Sequence, residues 1–176
     1  MIAFMRKSAS PVILFVGPVG GGKTSTLTSL VSKWRASGKE VRGLLAHRVM
    51  EKGHCLGYDL EVIGKEKRSV LARKEGAGIE RIGPFVFLDD ALTRGRKALR
   101  AAASAQIVIV DEIGPLELSK RGWRKEVERL LRKSKVTLIL VARESLQEQL
   151  TKWLKSSDRV VHSLHTWETA KLDSLL

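Results

Sequence analysis

The stretch Val12-Ile13-Leu14-Phe15-Val16-Gly17-Pro18-Val19-Gly20-Gly21-Gly22-Lys23-Thr24 decides how this chain is read. Its first five residues are a continuous β-branched and apolar run, the pattern of a strand buried on both faces. Gly17–Gly22 break that run, and Lys23–Ala36 has helical composition up to Ser37-Gly38. Gly17–Thr24 fits G-x-x-x-x-G-K-[ST] at every fixed position, in the strand–loop–helix setting that this phosphate-binding motif requires. Glycines let successive N–H groups turn inward toward phosphate oxygens, where a Cβ would obstruct the approach. The helix N-terminus adds its partial positive charge on the same side. The expected binding set is Gly17, Pro18, Val19, Gly20, Gly21, Gly22, Lys23, Thr24 and Ser25. Within it, the Lys23 ammonium addresses the β- and γ-phosphates and the Thr24 hydroxyl ligates Mg²⁺.

A second buried-type strand, Ile107-Val108-Ile109-Val110, ends in Asp111-Glu112 and has the form of a Walker B segment. In a parallel sheet the carboxyl ends of the strands border the ligand crevice. Asp111 is therefore expected to hold Mg²⁺, directly or through water. Glu112 is the natural general base, because hydrolysis needs a carboxylate within reach of the attacking water. A third apolar run, Val136–Ala142, is followed by Arg143. If that run lies beside the first strand, Arg143 can sense the γ-phosphate or neutralise transition-state charge. Lys23, Glu112 and Arg143 are the candidate catalytic residues, and Thr24 and Asp111 the candidate metal ligands.

Elsewhere the pattern alternates strands with helices. Val41–Met50 and Cys55–Ile63 read as a hairpin around Glu51–His54, expected toward an edge of the sheet. Gly64–Lys74 can add strand, while Glu75–Pro84 looks like loop. A helix capped by Asp89 or Asp90 is expected to run to about Ser104. Further helices are expected over Ser119–Lys133, Ser145–Leu154 and Trp167–Leu176, with a short strand at Arg159–Leu164. This is an α/β chain with a mostly parallel sheet flanked by helices in three layers, a P-loop fold carrying a hairpin near residues 45–63. Its 176 residues suit one domain, 1–176.

Composition narrows the setting. A net charge of +13 and a pI near 10.2 imply affinity for polyanions: nucleotides, nucleic acid or an anionic membrane surface. The clusters at Arg94–Arg100 and Lys120–Lys135 fall at helical spacing, as solvated faces do. A single cysteine, Cys55, forms no internal disulfide and suits a reducing cytoplasm. No apolar run is long enough to cross a membrane. Met1–Pro11 reads as a lead-in to the first strand, not a signal peptide. Four histidines and Cys55 lack zinc-type spacing. Trp34, Trp123, Trp153 and Trp167 are expected in helices as packing anchors, leaving no evident aromatic clamp for a nucleobase. The absence of asparagine and the presence of only three glutamines point to a heat-adapted source.

Asp111-Glu112-Ile113-Gly114-Pro115-Leu116-Glu117-Leu118, taken with the P-loop and with Gly57-Tyr58-Asp59, resembles the cancer-related nucleoside-triphosphatase family across about Val12 to Leu164. These small P-loop proteins are related to RecA-like and AAA+ ATPases. The resemblance implies Mg-dependent hydrolysis of ATP, GTP and other NTPs, with nucleotide contacts along Gly17–Thr24 and the same roles for Asp111 and Glu112. Glu117 matches the family pattern without an assigned role. Where family members often read Thr-x-Glu-Val-Arg, this chain has Ala46-His47-Arg48-Val49-Met50, so the hairpin departs from the pattern. A nucleic-acid-associated ATPase switch is the main alternative. A small-molecule or nucleoside kinase ranks below it, since an Asp-Glu pair suits activation of water. Oligomeric state and preferred nucleotide are left open.

Overall fold

The computed structural model describes residues 9–133 and 135–176. Of the lead-in at Met1–Pro11, Met1–Ser8 falls outside the described residues. Strands β1 (Val12–Gly17), β7 (Ile107–Ile113), β8 (Thr137–Arg143) and β9 (Val161–His165) form the parallel half of one sheet together with β2 (Val41–Glu51). Antiparallel to β2 lies β3 (His54–Val62), followed by β4 (Ser69–Arg73), β6 (Phe85–Phe87) and β5 (Glu80–Ile82). The order across the sheet is β5-β6-β4-β3-β2-β7-β8-β1-β9.

The continuous apolar runs are explained by helices on both faces. Val12, Leu14, Val16, Val108, Val110, Leu138 and Leu140 face one core. There they meet α2 (Asp89–Ala101), α4 (Arg124–Leu131) and α5 (Gln147–Leu154) through Leu92, Leu99, Val127, Leu130, Leu150 and Leu154. Ile13, Phe15, Ile107, Ile109, Ile139 and Val141 face the other core, under α1 (Lys23–Ala36) and α6 (Thr169–Ser174), which contribute Leu27, Leu30, Val31, Trp34 and Leu172. Each such side chain contributes about 1.5–3 kcal/mol when fully buried, so the central strands anchor the site.

Several expectations need correction. The hairpin is not at an edge, because β4, β6 and β5 extend the sheet beyond it. Strands of three to five residues are too short to print a periodic signal, and β5 arises inside the stretch read as loop. The N-cap of α2 is Leu88, in extended conformation, and Asp89 and Asp90 occupy the first turn, where they complement the helix dipole. The helix read over Ser119–Lys133 is interrupted: α3 (Pro115–Leu118) stops, Lys120 and Gly122 take left-handed φ of 62° and 58°, and α4 begins at Arg124. Trp123 caps α4, and Trp167 lies before α6 outside any helix.

Candidate active site

The loop between β1 and α1 is shaped by its glycines. Gly20 and Gly22 have φ of 73° and 76°, conformations in which a Cβ is strained, and Gly22 caps α1 with no side chain blocking the helix N-terminus. A Cβ on Gly21 would meet the Pro18 ring at 2.7 Å. Pro18–Gly22 is exposed, so the amides that cap the helix face an open cleft. Lys23 is only 5% exposed, and its Nζ donates to the carbonyls of Gly17 (3.2 Å) and Pro18 (2.8 Å). Among the described residues no carboxylate pairs with it, so its charge is held in place yet left available.

Across from the loop, Asp111 is fully buried near the end of β7. Thr24 Oγ1 donates to its Oδ2 at 2.7 Å, the Ala46 N–H donates to Oδ2 at 3.0 Å, and the Glu112 N–H donates to Oδ1 at 2.9 Å. Burial pushes the Asp111 carboxyl up to about 6, and the charge of Glu112 adds to the rise, while the three hydrogen bonds oppose it. A buried carboxylate with three donors and no cation among the described residues is an incomplete electrostatic arrangement.

Glu112 has φ 58°, the left-handed region, which costs a residue with a Cβ about 1–2 kcal/mol. That turn swings its carboxylate away from the strand and toward the loop cleft. The Arg143 Nε lies 3.9 Å from Glu112 Oε2. Arg143 ends β8, which pairs with β1 so that Arg143 sits opposite Gly17, and the condition set for it in the sequence is met. One strand, β8, therefore separates the loop strand from the acidic strand.

The cleft at the loop has a volume of about 280 Å³ and is lined by Gly20, Gly21, Gly22, Lys23, Thr24, Ser25, His47, Arg48, Arg68 and Glu112. Gly17, Pro18 and Val19 are not in its lining: Gly17 and Pro18 serve Lys23 through their carbonyls, and the Val19 side chain is exposed. Arg143 lines an adjoining cavity instead. Arg48 and Arg68 were missed. Arg48 Nη1 lies 2.9 Å from where a Cβ of Gly20 would be, so β2 carries a cation to the rim of the loop. The signal was the arginine inside the departing segment Ala46–Met50, two residues before the position the family pattern assigns to one.

Glu117, left without a role by the sequence, is an internal brace. Its Oε2 accepts from the Gly114 N–H and its Oε1 from the Trp123 N–H, each at 3.0 Å. Burial raises its pKa despite both donors. It closes the turn after β7 and so holds Glu112 and Gly114 in register. Trp167, 70% exposed, stacks on His165 with ring centroids 4.4 Å apart, correcting its expected place as a packing anchor in a helix.

A glycine loop at a helix start and an acidic strand end facing it across one intervening strand define a P-loop nucleotide-binding protein. The NTPase family matches residues 12–172. The nucleoside-triphosphatase THEP1 of Thermofilum pendens is 32% identical over 154 residues, covering 85% of this chain and 84% of the relative. That of Korarchaeum cryptofilum is 31% identical over 162 residues, covering 89% and 80%. The solution structure of a human cancer-related nucleoside triphosphatase aligns with a TM-score of 0.65 at 23% identity over 89% of each chain. The crystal structure of THEP1 from Aquifex aeolicus gives 0.64 at 20% identity, over 94% of this chain and 96% of that one. The solved structures share the fold. The chain belongs to the NTPase family, and its enzymatic class is nucleoside-triphosphatase.

Proposed function

We propose that the protein hydrolyses ATP, GTP and other nucleoside triphosphates to diphosphate and phosphate with Mg²⁺, as one domain spanning 1–176. The reading rests above all on one observation, the 2.7 Å contact of Thr24 Oγ1 with Asp111 Oδ2, which joins the start of α1 to the end of β7. The residues fit a divalent cation: Asp111 is a buried carboxylate, without a positive partner among the described residues, beside a hydroxyl. Among the described residues no group of three or more His, Cys, Asp or Glu is arranged to hold a metal. Phosphate oxygens and water would complete the coordination, which is how Mg²⁺ is ordinarily bound. Bound there, Mg²⁺ supplies charge neutralisation on the β- and γ-phosphoryl oxygens.

The chain's own groups do the rest. Amides of Gly20–Ser25 hold phosphate oxygens, with the α1 N-terminus behind them. Lys23, already desolvated, swings its ammonium from the Gly17 and Pro18 carbonyls to the β- and γ-phosphates. Glu112 takes the proton of the attacking water, and Arg143 and Arg48 face the charge that develops on the transferring group. The reading places the enzyme in the cytoplasm, in keeping with one unpaired cysteine and no helix among the described residues able to cross a membrane. Phosphate release across an NTP panel, with and without Mg²⁺, tests it. Release unaffected by Mg²⁺ removal or by Lys23→Ala would defeat it.

A second reading, a hydrolase that also engages nucleic acid, is favoured by a specific feature. A cleft of about 910 Å³ at the amino ends of β2 and β7 is lined by Arg42, Lys65, Lys67, Arg94 and Lys97 against Glu40 and Glu66. It faces away from the loop cleft, so a phosphodiester backbone there leaves the NTP site open. Turnover stimulated by RNA or DNA, with stimulation fading as salt rises, supports this reading, and turnover indifferent to both counts against it.

A further inference from the structure

Glu112 borders two spaces. On one side lies the loop cleft. On the other lies a cavity of about 130 Å³, mostly apolar, walled by Tyr58, Leu71, Ile82, Phe85, Phe87 and Leu92. Glu112 and Arg143 apart, nothing in the hydrolytic scheme draws on its walls. Its walls come from β3, β4, β5, β6 and α2, the antiparallel extension and its covering helix. It is closed below by the turn that Glu117 braces. The volume approaches that of an engineered cavity of about 150 Å³ which takes benzene, so it holds one six-membered ring.

Three polar groups interrupt the apolar lining. Glu112 and Arg143 lie 3.9 Å apart and offset each other's charge. The third is Tyr58, 7% exposed, whose ring meets Phe85 edge-on at 5.3 Å. Its hydroxyl forms no hydrogen bond with another described residue and is not fully sealed from solvent, so it can donate to a molecule in the cavity. Burial raises the Tyr58 pKa, and the charge of Glu112 adds to the rise, so the phenol is a neutral donor close to that carboxylate. Glu117 also borders the cavity, but both its oxygens are taken by backbone amides. A mostly apolar pocket with a few convergent polar groups is the usual form of a small-molecule site.

We propose that this cavity is a second ligand site, taking a small uncharged molecule that has one ring and a hydroxyl group. The ring fills the apolar space. The hydroxyl bonds to Tyr58 Oη and the Glu112 carboxylate, in the place where Glu112 would otherwise face water. A charged ligand is disfavoured because the Glu112–Arg143 pair presents no net charge and both Glu117 oxygens are already held by backbone amides. Occupation removes Glu112 from its water and slows phosphate release, while nucleotide affinity is retained because the loop cleft is untouched. Only this effect on turnover rests on the hydrolytic role given to Glu112; binding to the cavity does not.

The two parts are measured separately. Phenol and toluene, as probes differing by the hydroxyl, are titrated into nucleotide-free protein and followed by NMR of the leucine and isoleucine methyl groups. Phenol is expected to bind saturably at one site, shifting Leu71 and Leu92, and about tenfold more tightly than toluene, the worth of roughly one net hydrogen bond. Tyr58→Phe narrows that preference. Ile82→Trp or Leu146→Trp, each filling the cavity from a half-buried wall position, abolishes phenol binding and leaves basal phosphate release within about twofold. Two tryptophan variants guard against one that fails to fold. Absence of saturable phenol binding, toluene binding as tightly as phenol, or undiminished binding in a folded tryptophan variant would each overturn the site. With binding established, phosphate release indifferent to saturating phenol would overturn the coupling to Glu112, whereas failure of wild-type release with every NTP strikes the hydrolytic reading alone.

Discussion

The glycine loop and the acidic turn face each other, yet they are built by opposite means. Pro18–Gly22 is exposed and shaped by backbone, with Gly20 and Gly22 in left-handed conformations that cost glycine nothing. Asp111–Glu117 is mostly buried and shaped by side chains: Asp111 gathers three donors, Glu117 ties two amides, and Glu112 holds a left-handed φ despite its Cβ. The loop is a local structure that its sequence specifies almost alone. The turn is a tertiary structure carrying strain and a desolvated charge. Groups held at such cost are where function concentrates, and replacing them separates activity from stability.

The contrast breaks most visibly in turnover. Glu112→Gln is expected to lower steady-state phosphate release by a factor on the order of 10²–10⁴ and to leave nucleotide affinity nearly unchanged, because the loop is intact. Unchanged release would remove Glu112 from the chemistry.

Next in size is the cost of the buried charge. Folding raises the Asp111 pKa from 3.8 to about 6, so between those values the folded, metal-free protein binds more protons than the unfolded chain. Stability contributed by this group therefore falls as pH rises from about 4 to 6, by about 3 kcal/mol in all, and the penalty is complete above that window. Denaturant titrations of metal-free protein should show this slope, and Asp111→Asn should flatten it. Mg²⁺ affinity, measured with bound nucleotide, should weaken as pH falls through 6, since the metal needs the ionised carboxylate.

The brace comes third. Glu117→Ala leaves the buried Gly114 and Trp123 amides unpaired and is expected to cost about 2–4 kcal/mol in chemical denaturation. Activity should fall with it as Glu112 loses its support. Gly122→Ala meets the same brace from outside, because a Cβ there would lie 2.2 Å from Glu117 Oε1 at a φ of 58°. The smallest effect reverses sign. Glu112→Gly relieves the left-handed strain and should raise stability by about 1 kcal/mol while phosphate release is lost. A loss of stability instead would show that the conformation of Glu112 is unstrained.

The same contrast explains what the sequence made legible. Val12–Val16, Ile107–Val110 and Val136–Ala142 are apolar without interruption, and that is enough to identify strands sandwiched between helices. The bounds of α1 were readable because Gly22 and Ser37-Gly38 frame it. Asp111 and Glu112 were legible because they close such a strand. The antiparallel extension was not, since three-residue strands such as Glu80–Ile82 owe their pairing to neighbours, not to their own periodicity. The break in Ser119–Lys133 escaped notice because Glu117, a distant-looking helix residue, reaches forward to Trp123. Arg48 was hidden because its placement depends on β2 reaching the loop rim, a fact of topology. Trp167 was misread because an aromatic in a helical pattern looks like core until its exposure is seen.

The arrangement of the whole site turns on a single divalent cation shared by Thr24, Asp111 and the triphosphate. Anomalous diffraction from crystals grown with Mn²⁺ and a non-hydrolysable NTP analogue would locate that ion. One strong peak within bonding distance of Thr24 Oγ1 and in direct or water-mediated contact with the Asp111 carboxylate is the expected outcome. A bound analogue whose metal lies away from both residues, with Glu112 turned from the γ-phosphate, would contradict it.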